Sequence, residues 1–329
     1  MPAGGRTTHG FETLERVLIA EEFAYGDAGM LLASPGPSMS GVLLDVLGDQ
    51  EQKDWFYGRL AERPRWTFFG LTEPERGSAV GELTTTLTPL PDGSYRLDGA
   101  KRYVGNAARA DVGAVIARVA GAQRLGITAV LVDTSDPGFT AEPLGTVGLR
   151  GAQITRITLD SVHIPAERVL GRHLSPTRRG MWSIGITFNR LRPGVAAIAL
   201  GIARAAHDYV TAHRRELRGA ERERHEALGR RIEAARQLTY RAALSVDARP
   251  AAGHLASAAK ARACALAEDV TLAALGFFGP GARLDHPLLD KLARDARGVE
   301  FMEGTGNIQK LALFQGLISG KIGKAGEGE

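Results

Sequence analysis

The chain has 329 residues, 44% of them hydrophobic and 24% charged, which excludes a disordered protein and gives room for two or three modules with a substantial core. Lys and Arg number 41 against 37 Asp and Glu, a net charge of only +4, but the isoelectric point near 9.3 leans toward anionic partners. A single cysteine, Cys264, excludes an internal disulfide framework and fits a reducing compartment.

Residues 1–9 lack the apolar centre of a signal peptide, and no apolar run has the length of a membrane span. The expectation is a cytoplasmic protein without a membrane span. There is no basic–aromatic interleaving of the kind that binds nucleic acid. His207, His213 and His225 lie on helical tracts without a ligand-spacing pattern, so no metal site is expected.

Residues 1–63 read as an N-terminal helical domain. Leu14, Val17, Leu18, Ala20 and Phe23 recur at helical steps. A Ser/Pro/Gly tract over residues 33–41 interrupts the period, and Leu43, Leu44, Val46 and Leu47 resume it. Asp49-Gln50-Glu51-Gln52-Lys53 opens a further helix with acids in its first turn.

Residues 64–172 change to β character. Trp66-Thr67-Phe68-Phe69 reads as a buried strand, followed by β-rich runs at residues 83–90, 95–97, 112–118, 128–133 and 154–159. Pro91-Asp92-Gly93, Asp98-Gly99 and Asp136-Pro137-Gly138 read as the turns between them. This spacing predicts a small antiparallel barrel or sandwich.

Residues 173–329 return to helix. Ala/Leu/Arg-rich periodic runs at residues 196–209, 221–246, 255–275 and 288–301 predict a packed four-helix bundle, ahead of a short Gly/Lys/Glu tail after Ile322. The fold class is therefore α+β and multidomain: helices, an antiparallel β-barrel, then a helical bundle.

Two segments carry chemistry. The first is Gly70-Leu71-Thr72-Glu73-Pro74-Glu75-Arg76-Gly77-Ser78, just after the aromatic strand. Pro74 ends strand pairing and Gly77 frees the backbone. Thr72, Ser78 and the loop N–H groups gather donors at a strand end, which suits a cofactor ring or a phosphate. Taken alone, the commoner fate of such a loop is a capped turn. The second is Phe301-Met302-Glu303-Gly304-Thr305-Gly306-Asn307-Ile308-Gln309, where one helix ends and another begins. A carboxylate flanked by Phe301 and Met302 would be poorly solvated, with its pKa raised toward that of a general base. Taken alone, a C-cap turn with a solvated Glu is the commoner outcome.

In order and spacing, these segments and several others resemble the acyl-CoA dehydrogenase family of flavoproteins. The matching pieces are Gly70-Leu71-Thr72-Glu73-Pro74 with Gly77-Ser78, Asp98-Gly99-Ala100-Lys101 with Asn106, and Leu144-Gly145 with Gly148-Leu149-Arg150-Gly151. Val162-His163-Ile164-Pro165, Arg192-Pro193 with Val195-Ala196-Ala197 and Gly201, Arg294-Asp295-Ala296-Arg297, and Glu303-Gly304-Thr305 complete the set.

The resemblance implies FAD and the removal of two hydrogens from the α and β carbons of an acyl thioester. Glu303 would take the α proton while flavin N5 takes a hydride from the β carbon. The Glu303 N–H and a flavin hydroxyl would stabilise the enolate oxygen. Leu71, Thr72, Gly77 and Ser78 match the flavin-contacting loop, and Tyr103, Val104 and Gly105 match a triplet that stacks on and bonds the ring. Arg214, Phe278 and Gly279 match positions that meet a neighbouring subunit's FAD, and Thr305 matches a position beside the base. Arg192 with Asn189 and Gly304 would line the substrate. A cofactor site shared across subunits implies a homodimer or homotetramer, with an electron-transfer partner or oxygen as acceptor.

This sequence departs from the family pattern at Arg76, Ala79, Leu217, His225 and Leu275, and its N-terminus is several dozen residues short. Gly105 lacks the hydroxyl that usually bonds N5. These departures favour a specialised biosynthetic enzyme whose acyl group rides on CoA or on an acyl carrier protein. Eight arginines between Arg214 and Arg236 would suit either anionic carrier, or form a solvated face paired with Glu216, Glu221, Glu223 and Glu226. The alternatives are a flavin oxidase or monooxygenase on the same fold, and a non-catalytic subunit of a hetero-oligomer.

Overall fold

A computed structural model describes residues 2–3, 6–7, 12–122 and 126–318, so the tail after Ile322 lies outside the described residues. In chain order the elements are β1 (Pro2–Ala3), β2 (Arg6–Thr7), α1 (Thr13–Ala33), α2 (Ser38–Leu47), α3 (Gln50–Glu62), β3 (Thr67–Gly70), β4 (Thr86–Pro89) and β5 (Tyr95–Gly105). Then come β6 (Val112–Val119), β7 (Ile127–Asp133), β8 (Phe139–Pro143), β9 (Ile154–Ile164) and α4 (Met181–His213). The chain continues through α5 (Gly219–Ala248), α6 (His254–Gly276), α7 (Ala282–Asp285), α8 (Pro287–Val299) and α9 (Gly306–Ile318). No single helix among the described residues is long and apolar enough to cross a membrane.

The described residues fall into two compact units. The first draws on Met1–Gly10, Leu32–Thr146 and Arg150–Thr187, and the second on Phe11–Leu31, Val147–Leu149 and Phe188–Glu329.

The first unit is built on a seven-stranded sheet ordered β3-β6-β4-β5-β9-β8, with β7 paired to β6. The helix–sheet–helix order matches the expectation, but the antiparallel barrel does not. β3 and β4 both pair parallel to β6, and among the described residues no pairing joins β8 back to β3 or β7. The sheet is mixed and open. Turn residues mark where a chain reverses but not which strands become neighbours, which long-range packing decides. The core carries Phe68, Leu87, Leu97, Val115, Val130 and Ile157, all buried. Alternating burial along β9 (residues 154–164) reflects one face turned to that core.

Of the expected turns, Pro91-Asp92-Gly93 closes the β4–β5 hairpin, where the Asp92 carboxylate accepts from the Ser94 N–H at 2.9 Å. Asp98-Gly99 does not turn the chain. It forms a bulge inside β5, with Gly99 at φ +146° and its pro-Cβ position 2.8 Å from Thr85 Cα. No side chain fits there, so the glycine serves close approach rather than reversal.

In the second unit, helices α1, α4 and α5 share a buried contact of Val17, Ala197 and Ala243. At the α1–α4 crossing, a Cβ on Gly201 would lie 2.4 Å from the Glu21 carbonyl and 2.7 Å from the Tyr25 N. Beside it the buried Glu21 carboxylate accepts from Arg204 (3.0 Å), Arg236 (2.9 Å) and the Tyr240 hydroxyl (3.3 Å). The short segment Val147–Leu149 belongs here because buried Asp295 of α8 accepts the Leu149 N–H at 2.6 Å and pairs with Lys291 at 2.6 Å. α9 is a helix beyond the expected four. Its last turns expose Phe314, Leu317 and Ile318, and the periodic runs counted earlier stop short of it.

Gly201→Ala forces a Cβ into backbone that cannot yield. It is expected to lower stability by about 1–3 kcal/mol, read as a lower denaturant midpoint at unchanged slope.

Candidate active site

The first unit gathers one group of candidate residues at the carboxyl end of β3. Leu71 and Thr72 leave the strand, and the Arg102 N–H donates to the Thr72 carbonyl at 2.8 Å, tying the loop to β5. Glu73 then turns inward, closing a tight turn with Arg76 through reciprocal backbone bonds of 3.0 and 3.2 Å. Its carboxylate accepts the Thr84 N–H (2.8 Å), the Thr84 hydroxyl (2.7 Å) and the Thr85 N–H (2.8 Å). The fully buried Lys101 donates to it at 3.0 Å and to the Leu71 carbonyl at 3.0 Å. The loop is a capped turn, closed by Glu73 and Arg76 and anchored by the buried carboxylate. Burial alone would raise the Glu73 pKa, but the bonds from Thr85 and Thr84 overcome it and hold the acid at about 2. Burial lowers Lys101 to about 8, partly offset by Glu73, so both are charged at neutral pH.

Around this anchor the hydroxyls of Thr72 and Ser78 make no hydrogen bond to another described residue. Tyr103 sits at a second register shift in β5, in the left-handed region at φ +61°, with its ring 61% exposed and Arg102 stacked 5.0 Å from the ring centroid. A bulky residue at positive φ is costly, on the order of 1 kcal/mol, and the bulge turns the Tyr103 ring away from the core. Val104 is buried in the core, and a Cβ on Gly105 would meet only the Ala152 carbonyl, at 3.7 Å. Arg76, one of the departures, pairs with Glu82 at 2.7 Å on the outer side of the loop.

The second unit brings together Asn189, Arg192, Glu303, Gly304 and Thr305. Glu303 and Gly304 lie between α8 and α9, both left-handed, at φ +47° and +93°. For glutamate this backbone costs on the order of 1–2 kcal/mol, a strain of the kind found at functional sites. Arg192 Nε reaches the Glu303 carbonyl at 3.5 Å, and its Nη1 donates to Asn189 Oδ1 at 3.2 Å and Ser257 Oγ at 3.3 Å. Asn189 in turn donates to the Pro250 carbonyl at 2.9 Å. Glu303 Oε2 is buried with no hydrogen-bond partner among the described residues. Burial pushes its pKa up to about 7, against the opposing pull of Lys260 and Arg192. Phe301 was expected to shield the carboxyl, yet it is 58% exposed with Arg297 over its ring. The desolvation comes from the surrounding fold instead.

Lys260, Ser257 and Gln309 were not anticipated. Lys260 is a fully buried cation whose Nζ donates to the Glu300 carbonyl at 2.6 Å, with the Glu300 carboxylate at 3.5 Å. A signal for it exists, since it interrupts the otherwise apolar stripe of Ala256, Ala263 and Ala267 on α6. Gln309 carries no comparable signal.

Arg214, Phe278 and Gly279 lie apart from the Glu303 cluster. Phe278 meets Tyr209 edge-on at 5.9 Å and His286 at 3.9 Å, while Gly279 is left-handed in open space. Arg214 donates to both Glu221 oxygens, at 3.0 and 2.9 Å. Its neighbours follow suit. Arg218 pairs with Glu216, Arg222 and Arg230 flank Glu226, Arg231 meets Asp269, and Arg236 meets Glu21 and Glu233. Six of the eight arginines are ion-paired, Arg222 and Arg230 sharing Glu226 at 3.9 Å, and Arg224 lies over the Phe277 ring, so the run is chiefly an ion-paired helix face. Cys264 is buried, its thiol pushed up to about 12, which fits a core residue rather than a nucleophile.

Comparison with known proteins bears on both clusters. The family model for the acyl-CoA dehydrogenase middle domain matches residues 68–162, and that for the acyl-CoA dehydrogenase C-terminal domain matches residues 178–318. An acyl-CoA dehydrogenase of Bacillus subtilis is 33% identical over 285 residues, 83% of this chain and 74% of its own. A short-chain specific acyl-CoA dehydrogenase of Megasphaera elsdenii is 31% identical over 328 residues, 96% of this chain and 84% of its own. The solved butyryl-CoA dehydrogenase of Megasphaera elsdenii superposes with a TM-score of 0.83 at 29% identity, covering 94% of this chain and 83% of that one.

Two outcomes follow from the buried charges. Lys101→Met strands the Glu73 carboxylate and is expected to destabilise by about 3 kcal/mol or more in chemical denaturation. For Glu303, the stability its protonation contributes is complete below about pH 4.5 and lost as pH rises through about 7. Glu303→Gln should therefore gain on the wild type between pH 4.5 and 8, by about 3 kcal/mol, in denaturant midpoints measured across that range.

Proposed function

Because the chain belongs to the acyl-CoA dehydrogenase family, oxidoreductases acting on CH–CH bonds, we propose that it carries out FAD-dependent α,β-dehydrogenation of an acyl thioester with Glu303 as the base. The observation that carries this reading is the Glu303 carboxyl: buried, lacking a partner at Oε2, and poised near pH 7. A base of that pKa is half ionised at neutral pH and strong enough to take a proton activated by an adjacent thioester. The Glu303 N–H makes no backbone hydrogen bond among the described residues and is free to donate to a developing enolate oxygen. Arg192, partly buried with its pKa lowered by desolvation, orients Asn189 and meets the turn that carries the base.

Members of the family are FAD flavoproteins, and the residues of the first unit suit that group. The uncommitted Thr72 and Ser78 hydroxyls, the exposed Tyr103 ring and the open space at Gly105 offer donors and a stacking surface. Leu71, Thr72, Gly77, Ser78, Tyr103, Val104 and Gly105 would hold the isoalloxazine, and Thr305 would stand beside the base. Bound FAD supplies the two-electron acceptor for the β hydride. Acyl-CoA is the substrate class favoured here, because the relatives that this chain matches are named as acyl-CoA dehydrogenases.

We also infer a homodimer or homotetramer. The exposed apolar residues Leu311, Phe314, Leu317 and Ile318 along α9 suit burial against another copy. The buried thiol of Cys264 fits the reducing cytoplasm.

Anaerobic mixing with short acyl-CoA thioesters should bleach the flavin at a rate that rises with pH through about 7. Glu303→Gln should keep the yellow colour and lose reduction by at least about a thousandfold. Turnover retained in that variant would remove Glu303 from the role, and a colourless protein unable to take up FAD would refute the cofactor.

A further inference from the structure

One buried side chain beside Glu303 has no part in the chemistry proposed above. Gln309 lies in the first turn of α9 and is wholly buried. Its Nε2 donates to the Glu303 carbonyl at 3.0 Å and to the Gly304 carbonyl at 2.9 Å. Two carbonyl acceptors require the amide NH2 on that side, so the orientation of the group is dictated by its partners. Its Oε1 is buried with no partner among the described residues. The amide therefore accepts an unsatisfied oxygen in exchange for holding two adjacent carbonyls.

Those carbonyls belong to the two left-handed residues of the turn. The ends of the turn are secured separately. Lys260 holds the Glu300 carbonyl at 2.6 Å, and Glu300 Oε1 accepts the Gly306 N–H at 2.6 Å. Between these anchors, Gln309 is the short-range side-chain donor to the peptide units of Glu303 and Gly304, since Arg192 Nε stands at 3.5 Å. The fit is close on the glycine side as well, because a Cβ at Gly304 would lie 2.9 Å from Gln309 Nε2. Without the amide, the turn can relax toward ordinary backbone angles and rotate the carboxyl toward water.

We propose that Gln309 is a positioning residue. Its amide clamps the carbonyls of Glu303 and Gly304, keeps the turn left-handed, and so holds the Glu303 carboxyl at its buried place. The catalytic meaning of this clamp rests on Glu303 being the base; the clamp itself does not.

The test uses the FAD-loaded protein and four chains: wild type, Glu303→Gln, Gln309→Met and the double variant. Methionine has nearly the volume of glutamine but no donor. The gain of Glu303→Gln over its parent, read as the shift in denaturant midpoint between pH 4.5 and 8, reports the burial of the carboxyl without any turnover. In the Gln309→Met background that shift is expected to fall to half or less. Gln309→Met should also reduce flavin at least tenfold more slowly at saturating acyl-CoA, with KM little changed and FAD retained. A folded Gln309→Met protein with the full pH-dependent shift overturns the clamp, and one with an unchanged reduction rate overturns its role in the reaction. If Gln309→Met does not fold, Gln309→Asn, which withdraws the amide by one methylene, makes the same comparison. Turnover surviving in Glu303→Gln would refute the base while leaving the pH-dependent shift to judge the clamp.

Discussion

A charge taken out of water must be compensated within the protein or driven back to its neutral form, and both units are organised by how they meet this demand. Glu73 meets it with Lys101 and the two threonines, Glu21 with two arginines and a tyrosine, and Asp295 with Lys291 and the Leu149 N–H. In each case at least one compensating partner comes from a distant part of the chain, so the buried carboxylate also fixes which elements meet. Glu303 is the exception. Its Oε2 is buried and unmatched, and the nearby cations act across space without a direct bond to it. A group left uncompensated amid carefully compensated ones is expected where the missing partner is a substrate proton.

The same accounting reduces the weight of the most conspicuous charge pattern. The arginines of α5 and its approach look like an invitation to an anionic partner, yet most are spent on acids one or two turns away or on the adjoining helix. Exposed pairs of this kind contribute little to stability, and they leave little net field. The electrostatic content of this protein lies in a few buried groups rather than in its surface composition.

Much of the fold was legible locally. The aromatic run became β3, the periodic tracts became α4, α5, α6 and α8, and Pro91-Asp92-Gly93 became a hairpin turn. Asp98-Gly99 was misread because an Asp-Gly pair suits a turn and a bulge equally well; the proximity of Thr85 across the sheet decides between them. The expected antiparallel barrel gives way to a mixed open sheet because β6 recruits β3 and β4 in parallel from a distance, which strand spacing and turn residues do not encode. At the candidate site the ordered motifs pointed to Glu303, Arg192 and the strand-end loop. The roles of Gln309 and Ser257 are not legible locally, because a polar residue on a helix carries no mark of what it will face.

The sequence by itself determined the family and the order of helical and sheet segments, because these depend on residue type, spacing and local propensity. It could not determine what surrounds each charge. Whether a carboxyl is stabilised or stranded depends on donors that arrive from residues far away in the chain, and their arrival is a property of packing. Only the tertiary structure could show that Glu73 is satisfied by Lys101, Thr84 and Thr85 while Glu303 Oε2 is buried without a partner, in a left-handed turn whose carbonyls the Gln309 amide meets.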